Sequence, residues 1–366
     1  MKITFITTVN HNVGDDFVRE GLKYILKKHY QSTTVEFHNI HKHVPLTTRF
    51  GFRNVRKFKK HQTLDDLLPL GVNKDLVLEA DVVVQSGAPV YWCHPQVGAH
   101  CVDNEWYQPI IERRLQRNPQ AQLLNLAAGS CQTYFSDGHE FCDRCNAYIR
   151  DFYEQSAVTT LRDSLAKTIL NLAGYDAPVI ACSSLFSNDE YKLEAQKGEY
   201  VVVNFMELAG HYSFKQSIKK NRWSSTFRQV YDELKRDHTV VFSCHDEDEK
   251  QSALKIDPAA NIFISNDFVD YLKFYAKASF GLVNRVHAAF AMASFGKPSL
   301  VVGNDSRTRM LDEIGVEHLY INDVEKEMLS SKIHELQRTT TRFAEDMQTL
   351  KPQVFQKYLA ELESVS

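Results

Sequence analysis

The chain has 366 residues, of which 43% are apolar and 24% charged. That is room for two domains and the balance of a globular protein, which excludes a disordered, collagen-like or coiled-coil chain. Its 43 Lys and Arg stand against 46 Asp and Glu, a net charge of −3 that speaks against a dedicated nucleic-acid binder.

The first run, Ile3–Thr7, is too short and too soon polar to be an export signal, and it reads as a buried strand. No stretch approaches the ~18 uninterrupted apolar residues of a membrane span. With seven cysteines, an odd count, these features point to a cytoplasmic protein with reduced thiols. Val18, Leu22, Ile25 and Leu26 then share one face of a helix. Further strands are expected at Thr34–His38, Asp81–Gln85, Gln122–Ala127 and Val158–Leu161, and the polar segment Asn188–Glu199 reads as a linker. The pattern restarts with Tyr200–Phe205, Thr239–Ser243, Asn261–Ile264, Ser279–Val283 and Ser299–Val302. Phe343, Met347, Leu350, Phe355, Tyr358, Leu359 and Leu362 describe an amphipathic helix broken at Pro352. The expected class is α/β, two Rossmann-like domains facing a cleft: 1–187, a linker over 188–199, 200–335, and C-terminal helices over 336–366 that pack across the body. In such sheets, ligands bind beyond the carboxyl ends of the strands.

Candidate site residues follow from that placement. Asn12-Val13-Gly14-Asp15-Asp16 sits in the first strand-to-helix turn, where Gly14 can take a positive backbone angle. Asn12, Asp15 or Asp16 either faces the cleft to hold substrate hydroxyls or only caps the helix. The turn lacks the G-x-G-x-x-G of a dinucleotide site. Arg162, in Thr160-Leu161-Arg162-Asp163-Ser164, either points to the ligand region or pairs structurally with an acid. Arg285 and His287 are two apart in Asn284-Arg285-Val286-His287-Ala288-Ala289. That spacing puts them on different faces of a helix but on one side of extended chain, so both reach one ligand only where strand becomes helix. There, free N–H groups favour an anion, Arg offers a fork for phosphate or carboxylate, and His can move a proton. A surface Arg and a satisfied core His are the plain alternative.

Arg-Val-His-Ala-Ala, then Gly296-Lys297-Pro298-Ser299 and Met310-Leu311-Asp312-Glu313-Ile314-Gly315, resembles the C-terminal half of the polysaccharide pyruvyl transferase family. Asn12–Asp16 with Gly21-Leu22 resembles its N-terminal signature, and Leu161–Ser164 its mid-chain Arg-Asp element. The resemblance implies a fold like that of the GT-B glycosyltransferases. It also implies transfer of pyruvate from phosphoenolpyruvate to two hydroxyls of a sugar in a cell-surface glycan or its precursor, forming a ketal. By that analogy Arg285 binds the donor's phosphate or carboxylate, His287 is the catalytic acid, and Asn304 and Arg307 assist in donor binding. The chemistry requires no cofactor. Two other readings share the fold: a nucleotide-sugar glycosyltransferase of GT-B type and a non-catalytic binding subunit.

Two features fall outside the resemblance. Cys142-Asp143-Arg144-Cys145 has the C-x2-C spacing of two zinc ligands, and a structural zinc would draw a third from Cys131, Cys101 or Cys93, with His94 and His139 nearby. Incidental buried thiols are the alternative; the metal set taken forward is Cys131, Cys142 and Cys145. From His41 to His61 the chain carries seven Lys or Arg, three His and Phe50, Phe52 and Phe58. This is either a solvated basic segment or a landing site for a lipid- or nucleotide-linked acceptor, with peripheral contact at the inner membrane face.

Overall fold

The computed structural model describes residues 1–7, 12–41, 75–103 and 117–364. The first half contains β1 (Lys2–Thr7), α1 (Val13–His29), β2 (Glu36–His41), β3 (Val82–Ser86), β4 (Pro89–Tyr91), β5 (Cys93–His94), β6 (Ala99–His100), β7 (Gln122–Ser130), α2 (Asp143–Gln155), β8 (Val158–Leu161) and α3 (Ser164–Leu172). Its sheet runs β2-β1-β3-β7, with β4 and β8 both pairing with β7, and every pairing is parallel. The second half contains β9 (Tyr200–Val203), α4 (Lys220–Asp237), β10 (Val240–Ser243), α5 (Glu247–Ile256), β11 (Asn261–Phe263), α6 (Phe268–Ala276), β12 (Ala278–Val283), α7 (Val286–Ser294), β13 (Ser299–Gly303), β14 (His318–Tyr320), α8 (Lys326–Arg338) and α9 (Thr340–Glu363). Its sheet is also parallel, ordered β11-β10-β9-β12-β13-β14. This is a two-domain, GT-B-like α/β fold.

The expected strands are all present, with one shift. The second begins at Glu36 rather than Thr34, because β1 fixes its register from Lys2↔Glu36 to Thr7↔His41. Thr33 N–H closes a turn onto the Tyr30 carbonyl just before it. Pro352 does not break the last helix: α9 runs from Thr340 to Glu363 straight through it. The ~3 kcal/mol that an internal proline costs is opposed by burial of Met347, Val354, Tyr358 and Leu362. Those residues return the chain to the first half, where Tyr358 Oη donates to the Ala181 carbonyl at 3.1 Å.

One apolar cluster crosses between the halves. Phe17 and Leu22 of α1, Leu126 of β7, Tyr275 of α6, Phe290 of α7 and Tyr358 of α9 all belong to it. A polar seam runs beside it: Ser130 Oγ lies 2.9 Å from Ser306 Oγ, Gln132 N–H donates to Ser306 Oγ at 2.9 Å, and Ser306 N–H returns a bond to the Gln132 carbonyl. The carboxyl ends of the two sheets therefore face each other at a fixed separation. Among the described residues no helix is long and apolar enough to cross a membrane.

Candidate active site

A cavity of about 940 Å³ lies between the two sheets, at the strand ends where parallel folds gather ligands. The first half supplies Asn12, Gly14 and Asp15 from the start of α1 and Arg162 from the end of β8. The second supplies Arg285 and His287 from the β12–α7 turn, and Asn304 and Arg307 after β13. Arg285 is the N-cap of α7, with extended backbone (φ −83°, ψ 113°), so it and His287 sit at the change from strand to helix.

The three guanidinium groups are not equivalent. Arg285 donates from Nε to Glu249 Oε1 at 2.6 Å, ion-pairs with Asp246 at 3.3 Å through Nη2, and faces His211 Nε2 at 2.6 Å through Nη1. Its charge is thus already compensated, so it is not the open anion fork expected from the sequence. Arg307 forms a two-pronged pair with Asp305, 2.9 Å from Nε and 2.6 Å from Nη2. Arg162 differs. It is 1% exposed, its Nη1 bonds to the Gly87 carbonyl and lies 3.4 Å from His287 Nε2, and its Nε has no partner among the described residues. Among the described residues it has no carboxylate partner within 4.0 Å. The adjacent Asp163 is turned away, capping α3 through Ala166 N–H and accepting from Ser130 Oγ at 2.8 Å. A buried cation without a counter-ion is costly, and an anionic ligand relieves that cost.

These charges set the state of the imidazoles. Burial, then Arg162, Arg307 and Arg285, hold His287 well below the ordinary histidine range, so it is neutral at pH 7 in the free protein. His211 is lowered to about 3 by burial and by Arg285 and Arg307. His245 is also lowered, by burial first and then by Arg285; its Nε2 lies 3.2 Å from Tyr275 Oη and its Nδ1 is unpartnered. Burial raises Glu249 above the usual carboxylate range, against the pull of Arg285 and of His245 N–H. The cavity therefore combines two acid-paired arginines and one, Arg162, without a carboxylate among the described residues, with imidazoles that an incoming anion would make more basic.

Gly14 is needed here for space, not for a left-handed turn: it is helical and has no positive φ. A β-carbon on it would stand 2.5 Å from His287 Nδ1, closer than such contacts occur. Gly14→Ala should therefore push His287 out of place. We expect turnover to fall by up to ~10²-fold, what a misplacement of about 1 Å in an active site can cost, with the circular dichroism spectrum unchanged; steady-state kinetics of the folded variant checks this.

Asn12 Nδ2 donates to Asp15 Oδ2 at 2.8 Å, and both residues line the cavity. Asp16 does not. It forms an ion pair with Arg19 at 2.5 Å, and burial raises its carboxyl to about 6. Asn304 is fully buried; its Nδ2 holds the Tyr212 carbonyl at 2.9 Å, so it positions the segment 206–219 at the cavity wall. That segment carries Ala209, Phe214 and Lys215 in the left-handed region, unusual for residues with side chains. The metal expectation is corrected at Cys131, which lines the cleft with its thiol pushed up to about 12 by burial. It is not among the clustered ligand atoms, which come from Cys93, His100, Cys142 and Cys145. The basic segment 42–61 lies outside the described residues. His211, His245 and Glu249 were not singled out from the sequence; a strand-end position for Cys244-His245 was the one available signal.

Fold and site together define a two-domain, GT-B-like protein with an arginine- and histidine-lined cleft between its sheets. The chain belongs to the polysaccharide pyruvyl transferase family, whose model matches residues 12–306, and so to a family of transferases of polysaccharide biosynthesis. No curated protein matches it closely enough to count as a relative. Among solved structures it is similar to a putative UDP-N-acetylglucosamine 2-epimerase from Listeria monocytogenes (TM-score 0.58, 11% identity, 99% of this chain and 96% of that one). It is likewise similar to S. aureus MnaA solved with UDP (0.55, 13%, 94% and 90%). At these identities the likeness is one of fold alone.

Proposed function

We propose that the protein transfers pyruvate from phosphoenolpyruvate to two hydroxyls of a glycan sugar, forming a ketal and releasing phosphate. The observation that carries this reading is Arg162, a buried guanidinium with no carboxylate partner among the described residues, set 3.4 Å from His287. Arg162 receives the donor's phosphate or carboxylate, with the α7 N-terminus and the outer edges of Arg285 and Arg307 adding to the field. The bound anion offsets the guanidinium charges that, after burial, keep His287 neutral, and the imidazole takes up a proton. His287 gives that proton to the methylene carbon of the donor. A sugar hydroxyl, oriented by Asn12 and Asp15, bonds to the adjacent carbon and loses its own proton. A second hydroxyl then displaces phosphate from that carbon, its proton leaving with the phosphate, which closes the ring.

The sign of the pH dependence follows. A group whose pKa rises on binding takes up a proton, so phosphoenolpyruvate affinity should increase as pH falls from 8 towards 6. Calorimetric titration in buffers of different ionisation enthalpy should show uptake of a fraction of a proton up to about one. The same titration with UDP-N-acetylglucosamine separates this reading from the nucleotide-sugar reading that the structural likeness brings to mind. Binding of the nucleotide sugar alone would overturn the proposal.

A further inference from the structure

Away from the cleft floor, three thiols and an imidazole converge with no role in the transfer chemistry. Cys93 and His100 are paired across the antiparallel hairpin of β5 and β6. The hairpin closes through Gly98, whose φ of 67° is open to glycine at no steric cost. Cys142 and Cys145 come from the cap and first turn of α2. Cys93 Sγ is 3.7 Å from Cys142 Sγ, and His100 Nδ1 lies 3.6, 3.4 and 3.9 Å from the sulfurs of Cys93, Cys142 and Cys145. The four ligand atoms all lie within 4.8 Å of one another.

These separations can be compared with a known geometry. A tetrahedral zinc with Zn–S of ~2.3 Å and Zn–N of ~2.0–2.1 Å separates sulfurs by about 3.8 Å and sulfur from nitrogen by about 3.6 Å. Ordinary packing gives no reason for three sulfurs to crowd one imidazole nitrogen at such distances. The span suits one ion rather than a cluster of several irons, and a tetrahedral sulfur-rich set favours zinc among single ions. Backbone geometry adds to the match: Cys142 N–H points at Cys93 Sγ at 3.5 Å, and two ligands sit at the N-terminal end of the thirteen-residue α2.

We propose that Cys93, His100, Cys142 and Cys145 bind one Zn²⁺ as a Cys3His structural site that fastens the β5–β6 hairpin to α2. The hairpin is part of the cleft wall. Trp92, His94 and Val97 line the cavity, and the His94 ring stacks on Phe214 of the segment 206–219 with centroids 3.9 Å apart. The ion thus sets the wall against which the second half's segment rests, without touching the reacting atoms.

The test is elemental analysis of full-length protein expressed in zinc-supplemented medium and never exposed to chelator. About one equivalent of zinc is expected. Cys142→Ser and Cys145→Ser should lose it, while Cys101→Ser and Cys131→Ser keep it. The wild-type chain gives a measurement that does not depend on variant folding: exchange with Co²⁺ should produce thiolate charge-transfer absorption in the near ultraviolet and the strong visible bands of four-coordinate cobalt. Iron in place of zinc, a metal content well below half an equivalent, cobalt without thiolate bands, or loss of metal in Cys131→Ser would each overturn the proposal.

Discussion

His287→Ala should lower turnover by ~10²–10⁴-fold, the range that general acid catalysis supplies, with little change in melting temperature. The imidazole contacts the first half through Gly14 and Arg162 rather than through the apolar core, so its removal leaves the cluster of Phe17, Tyr275 and Phe290 intact. It also removes a buried neutral group flanked by three cations. The loss should fall on kcat more than on KM, because donor binding rests on Arg162. His287→Gln should not rescue, since an amide can donate a hydrogen bond but cannot deliver a proton. Near-normal turnover in either variant would remove His287 from the mechanism.

Arg162→Met should give the second large effect. Methionine follows the arginine stem as far as the Nε position and removes the guanidinium charge. Taking away one member of a fully desolvated ion pair with ligand costs about 2–5 kcal/mol, a weakening of phosphoenolpyruvate binding by ~30-fold to several thousand-fold. Stability should be unchanged or improved, because a buried charge with no counter-ion is exchanged for an apolar group. A purely structural arginine predicts the reverse, lost stability with binding spared. A further mark is the His287 imidazole, whose titration by NMR should move back towards the ordinary range once its largest charged neighbour is gone. Calorimetry and thermal unfolding of the same preparation decide between the two.

The sheets were legible because runs such as Val201-Val202-Val203 and Leu123-Leu124 admit few other structures, and because Arg285 and His287 can meet one ligand at only one kind of position. What escaped reading was pairing over long sequence separation. Glu249 lies 36 residues from the arginine it neutralises, so Arg285 reads from sequence as an open anion fork and stands in the structure as a compensated one. Cys93 and His100 become neighbours of Cys142 only through a short hairpin that no motif announces, whereas Cys131 is nearer to Cys142 in the chain and faces the cleft instead. Asp16 and Asp15 are adjacent in a helix, hence about 100° apart around its axis, and only one of them can face the cavity. Pro352 shows local preference yielding to tertiary burial.

The apolar cluster that runs unbroken from α1 to α6, α7 and α9 bears on how the enzyme exchanges its ligands. Swinging the halves apart like a jaw would strip water-free contacts from residues such as Phe17, Phe290 and Tyr358, each worth ~1.5–3 kcal/mol when fully buried. Exposing a handful of them would cost on the order of 5–10 kcal/mol. The segment 206–219 is fastened in the same way, with Ala209 in the second half's core and the Tyr212 carbonyl held by Asn304, so a ligand meets a cleft whose walls keep one separation.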